Sequence, residues 1–133
     1  MNARTICYWL ATALTAFVYL SGGIADIVQP TAVKEGMALL GYPAYFATIL
    51  GIWKVLGGAV VLAPRLPLIK EWAYAGMLFN LTGAAASHAA VGDPLAKIIT
   101  PLVILLIVAA SWALRPPTRT LPGALPYSTP LTA

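Results

Sequence analysis

Four long apolar segments, at about 6–28, 43–63, 71–91 and 95–114, constrain this chain more than any other feature. Each is close in length to the ~20 mostly apolar residues that one helical crossing of a bilayer needs. In hydrocarbon the backbone must satisfy its own hydrogen bonds, so runs of this length read as helices. Only 9% of the residues are charged, against about 25% in a soluble domain. The expectation is an all-α integral membrane protein: a four-transmembrane-helix bundle over residues 1–115, followed by a proline-rich cytoplasmic tail over 116–133.

The connections carry their own signals. Between the first two segments, Val33, Met37 and Leu40 recur at helical spacing beside Lys34 and Glu35, and Gly41 and Pro43 end the pattern. This predicts a short amphipathic helix lying at the membrane interface. "APRLPLIK", 63–70, reads as a tight basic hairpin, and "VGDP", 91–94, as a turn with Pro94 near the start of the last helix. With both termini in the cytoplasm, Arg4, Arg65, Lys70, Arg115 and Arg119 fall inside, and only Lys34 and Lys97 fall outside. The positive-inside rule therefore predicts that orientation. The expected location is the bacterial inner (cell) membrane. The tail holds Pro116, Pro117, Pro122, Pro126 and Pro130, which predicts an extended or disordered arm.

Several function classes drop out. The positive charges are scattered singly between apolar segments, which does not suit nucleic acid. One cysteine, Cys7, allows no intrachain disulfide and no autonomous dithiol chemistry. One histidine, one cysteine and few acids give a metal site little support. "NLT" at Asn80 matches a glycosylation sequon but lies within an apolar segment.

Small and polar residues form stripes on three of the four segments. They are Tyr8, Thr12, Thr15, Tyr19, Gly22 and Asp26 on the first, and Ala47, Gly51, Lys54 and Gly58 on the second. On the third they are Ala73, Gly76, Asn80, Gly83 and Ser87. Alternating steps of three and four place each set on one face, suited to close helix packing. The fourth segment is unbroken Leu, Val, Ile and Ala over 102–110 and is expected to lie more against lipid.

Lys54 lies on the second stripe, and charge at bilayer depth needs a partner. It sits about 16 Å along its helix from Pro43, near mid-membrane. The short hairpin brings Glu71 closest in topology, so the expected inner layer is a Lys54–Glu71 ion pair with Tyr74 as a further donor. The expected outer layer is Asp26 and His88, with Ser87. One conflict stands inside this scheme: Glu71 and Asn80 lie about 180° apart on a regular helix, so both cannot point at Lys54. Trp53, Trp72 and Tyr74 near this layer could also line a site for a headgroup with an apolar tail.

Residues 40–93 carry a family resemblance. Gly41 and Pro43, Gly51 and Lys54, Pro64, "KEWAYAG" at 70–76, Ser87–His88 and Gly92–Asp93 together resemble the DoxX-like family of small four-helix membrane proteins. That family takes its name from a subunit of an archaeal thiosulfate:quinone oxidoreductase. The resemblance implies a small bundle working within a larger membrane assembly. The leading functional expectation is therefore a non-catalytic subunit or assembly factor, partnered by other membrane subunits or by copies of itself. The alternatives are a quinone- or lipid-binding subunit of a redox system, and a small transporter or proton path through Lys54, Glu71 and Asp26.

Overall fold

The computed structural model describes residues 1–122. Within them the chain is all-helical: α1 (Ala3–Val28), α2 (Thr31–Leu40), α3 (Ala44–Leu62), α4 (Pro67–Ala90), α5 (Leu95–Ala113) and a 3-10 turn over Pro117–Arg119. No strand occurs among the described residues. Three helices, α1, α3 and α5, are long and apolar enough to cross a membrane. The helix α4 carries Lys70, Glu71 and His88 and is the least apolar of the four long helices.

The helix ends follow local chemistry. The Asn2 side chain accepts a hydrogen bond from the Thr5 amide at 2.9 Å, capping α1. Gln29 leaves α1 in a left-handed conformation, and Pro30 prevents continuation. Gly41, at φ 81, closes α2 as glycine readily does. The hairpin from α3 to α4 turns through Arg65 and Leu66, both left-handed at φ 59 and 54, before Pro67 opens α4. Pro101 interrupts the hydrogen-bond ladder of α5 from a buried position.

The long helices form a ring. α1 packs along α3 and α5, α5 packs along α4, and the seam between α3 and α4 is the loosest. The tightest seam is α1 on α3. A Cβ placed on Gly23 would stand 2.8 Å from the Gly51 carbonyl oxygen, and one on Gly51 would stand 2.6 Å from that of Gly23. These two glycines let the backbones touch. The sequence stripe had Gly22 at this position, but its neighbour Gly23 makes the contact, and a Cβ on Gly22 would meet nothing within 4 Å. Ala16, Tyr19, Val61, Tyr74, Met77, Leu81 and Val108 form the apolar core.

The α4 stripe is the larger correction. The buried face of α4 is Lys70, Tyr74, Met77, Leu81 and Ala85. The small residues Ala73, Gly76, Asn80, Gly83 and Ser87 instead line cavities along the α3–α4 side. A Cβ on Gly76 or on Gly83 would meet nothing within 4 Å, so these glycines leave space rather than permit contact.

The beginning of the expected extended arm also folds back. Arg119 in the 3-10 turn donates to the Tyr8 hydroxyl at 3.2 Å and to the carbonyls of Val61 and Leu62 at the end of α3. Residues 123–133, the rest of that arm, lie outside the described residues.

Candidate functional site

The ion pair of Lys54 follows from the α1–α3 register. The helices run antiparallel, with Gly23 beside Lys54 and Gly51 beside Asp26. Lys54 therefore lies only about one helical turn along the axis from Asp26. Its ammonium meets the Asp26 carboxylate at 2.7 Å, with the side chains 24% and 10% exposed. This corrects the expected Lys54–Glu71 pair and also the expected outer layer of Asp26 with His88. Both expectations measured depth from each helix's own end, as though those ends were level. They are not: Gly51 rather than the start of α3 stands beside Asp26, and Gln29, just past α1, reaches Thr48 in the second turn of α3 as well as the Ala44 carbonyl, so α3 begins about one turn beyond the end of α1.

Glu71 belongs to a separate polar cluster at the other end of the bundle. It accepts from Arg115 at 2.5 Å and from the Trp112 indole at 2.9 Å. Arg115 is fully buried, lies over the Tyr74 ring, and also donates to the Trp112 carbonyl at 2.9 Å. Lys70, also fully buried, donates to the carbonyls of Val60, Val61 and Ala63, closing the C-terminal end of α3. A cation there meets the negative end of the helix dipole. Tyr74, expected beside Lys54, instead shares a 2.8 Å hydrogen bond with Ser111, whose hydroxyl lies 2.8 Å from that of Thr12. The Glu71–Asn80 conflict resolves on this basis: Glu71 bonds to α5, and Asn80 lies with Lys54.

Asn80 accepts from the Tyr19 hydroxyl, at 3.3 Å, and that hydroxyl also lies 3.2 Å from the Met77 carbonyl oxygen. Two cavities meet at this level. One, of about 440 Å³, extends toward α2 past Met37, Tyr42, Phe46, Ser87 and His88. The other, of about 520 Å³, runs between α3 and α4 past Trp53, Val60, Ile69 and Trp72. Tyr19, Leu50, Lys54 and Asn80 line both. The first cavity is bordered by a 2.7 Å hydrogen bond between Tyr42 and Ser87. His88 holds Asp93 through Nδ1 at 2.6 Å, and Lys97 stands 3.5 Å from the same carboxylate. The His88 hydrogen bond, with Lys97 nearby, holds the Asp93 carboxyl below the usual carboxylate range.

Among the described residues no three His, Cys, Asp or Glu side chains group as metal ligands. The site residues missed from sequence are Tyr19, Lys70, Trp112, Ser111 and Arg115. Tyr19 was legible as a member of the α1 stripe, but nothing in the spacing showed it facing Asn80. Lys70 and Arg115 were read only as orientation signals, although a basic residue at each of two helix ends is a ready partner for Glu71.

Fold and site together define a small all-helical membrane protein with an ion pair and a polar waist inside the helix bundle. The chain belongs to the DoxX-like family, whose sequence model matches residues 10–111. No curated protein and no solved structure matches the chain.

Proposed function

We propose that this chain is a four-span membrane protein that holds an amphipathic molecule, a quinone or a lipid, between α3 and α4. In this reading it has no independent catalytic activity and serves as a subunit of a larger membrane assembly in the bacterial inner membrane. The observation that carries the binding role is that two mostly apolar cavities join at a few polar groups, Lys54, Tyr19 and Asn80. A pocket with mostly apolar walls and few convergent polar groups suits an apolar tail with a polar head. The glycines of α4 support the same reading, since they open space that no side chain fills.

The fourth span is supported by length and packing. At 24 residues α4 extends about 36 Å and lies along α5, one of the three apolar helices. A helix that accompanies a spanning neighbour over that distance crosses with it. None of the residues of α2 is buried, and its polar Lys34 and Glu35 suit the membrane surface. An even number of spans places both termini on one side, which the charge bias assigns to the cytoplasm.

Gly76→Leu tests the binding role. Its Cβ enters open space, so the variant should fold and purify as the parent does. After gentle detergent extraction, mass spectrometry should find a quinone or lipid retained by the parent and depleted in the variant. Equal retention by both would rule out the α3–α4 cleft. Proteins recovered in constant ratio with either form would identify the assembly.

A further inference from the structure

We infer that the molecule in this cleft presents a neutral carbonyl oxygen to Lys54 and Asn80, not an anionic head. The inference rests on the reading of the cleft as an amphiphile site and specifies its chemistry.

The waist offers donors and hides its acceptor. The Lys54 ammonium has three N–H groups, and Asp26 takes one at 2.7 Å. The Asn80 carbonyl accepts from Tyr19, and its amide N–H groups donate to no described residue. Lys54 and Asn80 line both cavities, whereas Asp26, 7% exposed, lines neither. The carboxylate therefore balances the ammonium from behind while the remaining N–H groups face the cleft. No carboxylate lines either cavity; the other titratable side chains lining them are Tyr19, Tyr42 and His88, and His88 is tied to Asp93.

That arrangement selects by charge. An anion leaving water must find net positive charge to offset its desolvation. Here Asp26 already neutralises Lys54, and a second carboxylate or phosphate would face the first across one ammonium. A carbonyl oxygen needs only donors, and the waist has unused ones. The lower walls, Trp53, Ile69 and Trp72 among them, accept an apolar tail or a flat ring. A quinone ring and a glycerol ester both carry such an oxygen.

The test uses the full chain in detergent and reads binding by native mass spectrometry with three probes: decylubiquinone, dioctanoylglycerol and oleate. At least one neutral carbonyl compound should bind about tenfold tighter than oleate, the worth of one good hydrogen bond. Decylubiquinone alone would assign the site to quinones, and dioctanoylglycerol alone to ester lipids. Lys54→Met and Asn80→Leu should each weaken that binding by a similar factor. Asp26→Asn, which leaves the ammonium unbalanced, should move the preference toward oleate. A parent protein that prefers oleate, or an Asp26→Asn protein with unchanged preference, would overturn the neutral-acceptor inference and leave the amphiphile site standing. Binding of none of the three would overturn the amphiphile site itself. The parent comparison decides the matter alone should Asp26→Asn fail to fold.

Discussion

Asp26 and Lys54 are coupled because each is the other's remedy for burial. Removing one side of a buried pair typically costs ~3–5 kcal/mol, since the remaining charge is stranded. Lys54 keeps 24% of its side chain exposed, so its cost should fall at the low end of that range. We expect Lys54→Met and Asp26→Asn each to lower the unfolding temperature in detergent, and the double variant to recover much of the loss. Lys54→Met combined with Glu71→Gln should show simple additivity, because these residues sit in different clusters. Recovery in that second combination would mean that Lys54 pairs with Glu71 after all. A smaller effect belongs to Asp93. Its folded-state pKa is depressed by the His88 hydrogen bond, so its contribution is present at neutral pH and lost as pH falls through that lowered value. Carboxyl-carbon NMR should find Asp93 titrating below the ordinary value near ~3.9, and closer to it in His88→Leu.

The two helix seams of α3 use glycine for opposite purposes. At α1–α3, Gly23 and Gly51 bring carbonyl oxygens within 2.8 and 2.6 Å of where a Cβ would stand. Gly23→Val and Gly51→Val should therefore push the helices apart, costing about 1–3 kcal/mol and separating Asp26 from Lys54. At α4, Gly83→Ala meets no atom and removes a helix-weakening glycine, which should leave stability unchanged or raise it by up to ~1 kcal/mol. Detergent melting curves for the three variants distinguish the seams. If Gly23→Val and Gly83→Ala behaved alike, the packed and open assignments would be wrong. The Lys70 cap explains why the basic hairpin matters to the fold beyond orientation: it satisfies carbonyls that α3 leaves unpaired at its end.

For the whole molecule, the strongest consequence of the proposed four-span arrangement is sidedness. Single cysteines at Ala32 and Leu121, in a Cys7→Ser background, should react with an impermeant thiol reagent from opposite faces of the membrane. Cys7 is exposed and would otherwise add its own signal. Labelling of both positions from one face would exclude the four-span arrangement with α2 outside. Among the described residues the bonded charged groups include three clusters: Asp26–Lys54 beside the waist, Asp93 with His88 and Lys97 at the α4–α5 turn, and Glu71, Lys70, Arg115 and Arg119 at the end where α3 gives way to α4. The two cavities meet beside Lys54, whose ion pair with Asp26 closes no helix end, and the ligand-binding role is proposed there for that reason.

Helix existence, helix limits and family were legible along the chain because each depends on local properties: the length of an apolar run, a cap, a proline, a spaced set of motif residues. The expected segments at 6–28, 43–63, 71–91 and 95–114 differ from α1, α3, α4 and α5 by only a few residues at their ends. The inward direction of Lys54 was legible for the same reason, from Gly51 and Gly58 on its own helix. Its partner was not. That depended on how far α1 and α3 slide past each other, a quantity set by Gly23 and Gly51 nesting across the seam and absent from either helix alone. The role of the α4 stripe was hidden in the same way. Small residues at helical spacing permit either contact or a gap, and only the packing of Tyr74, Met77 and Leu81 on the neighbouring face left that stripe facing open space.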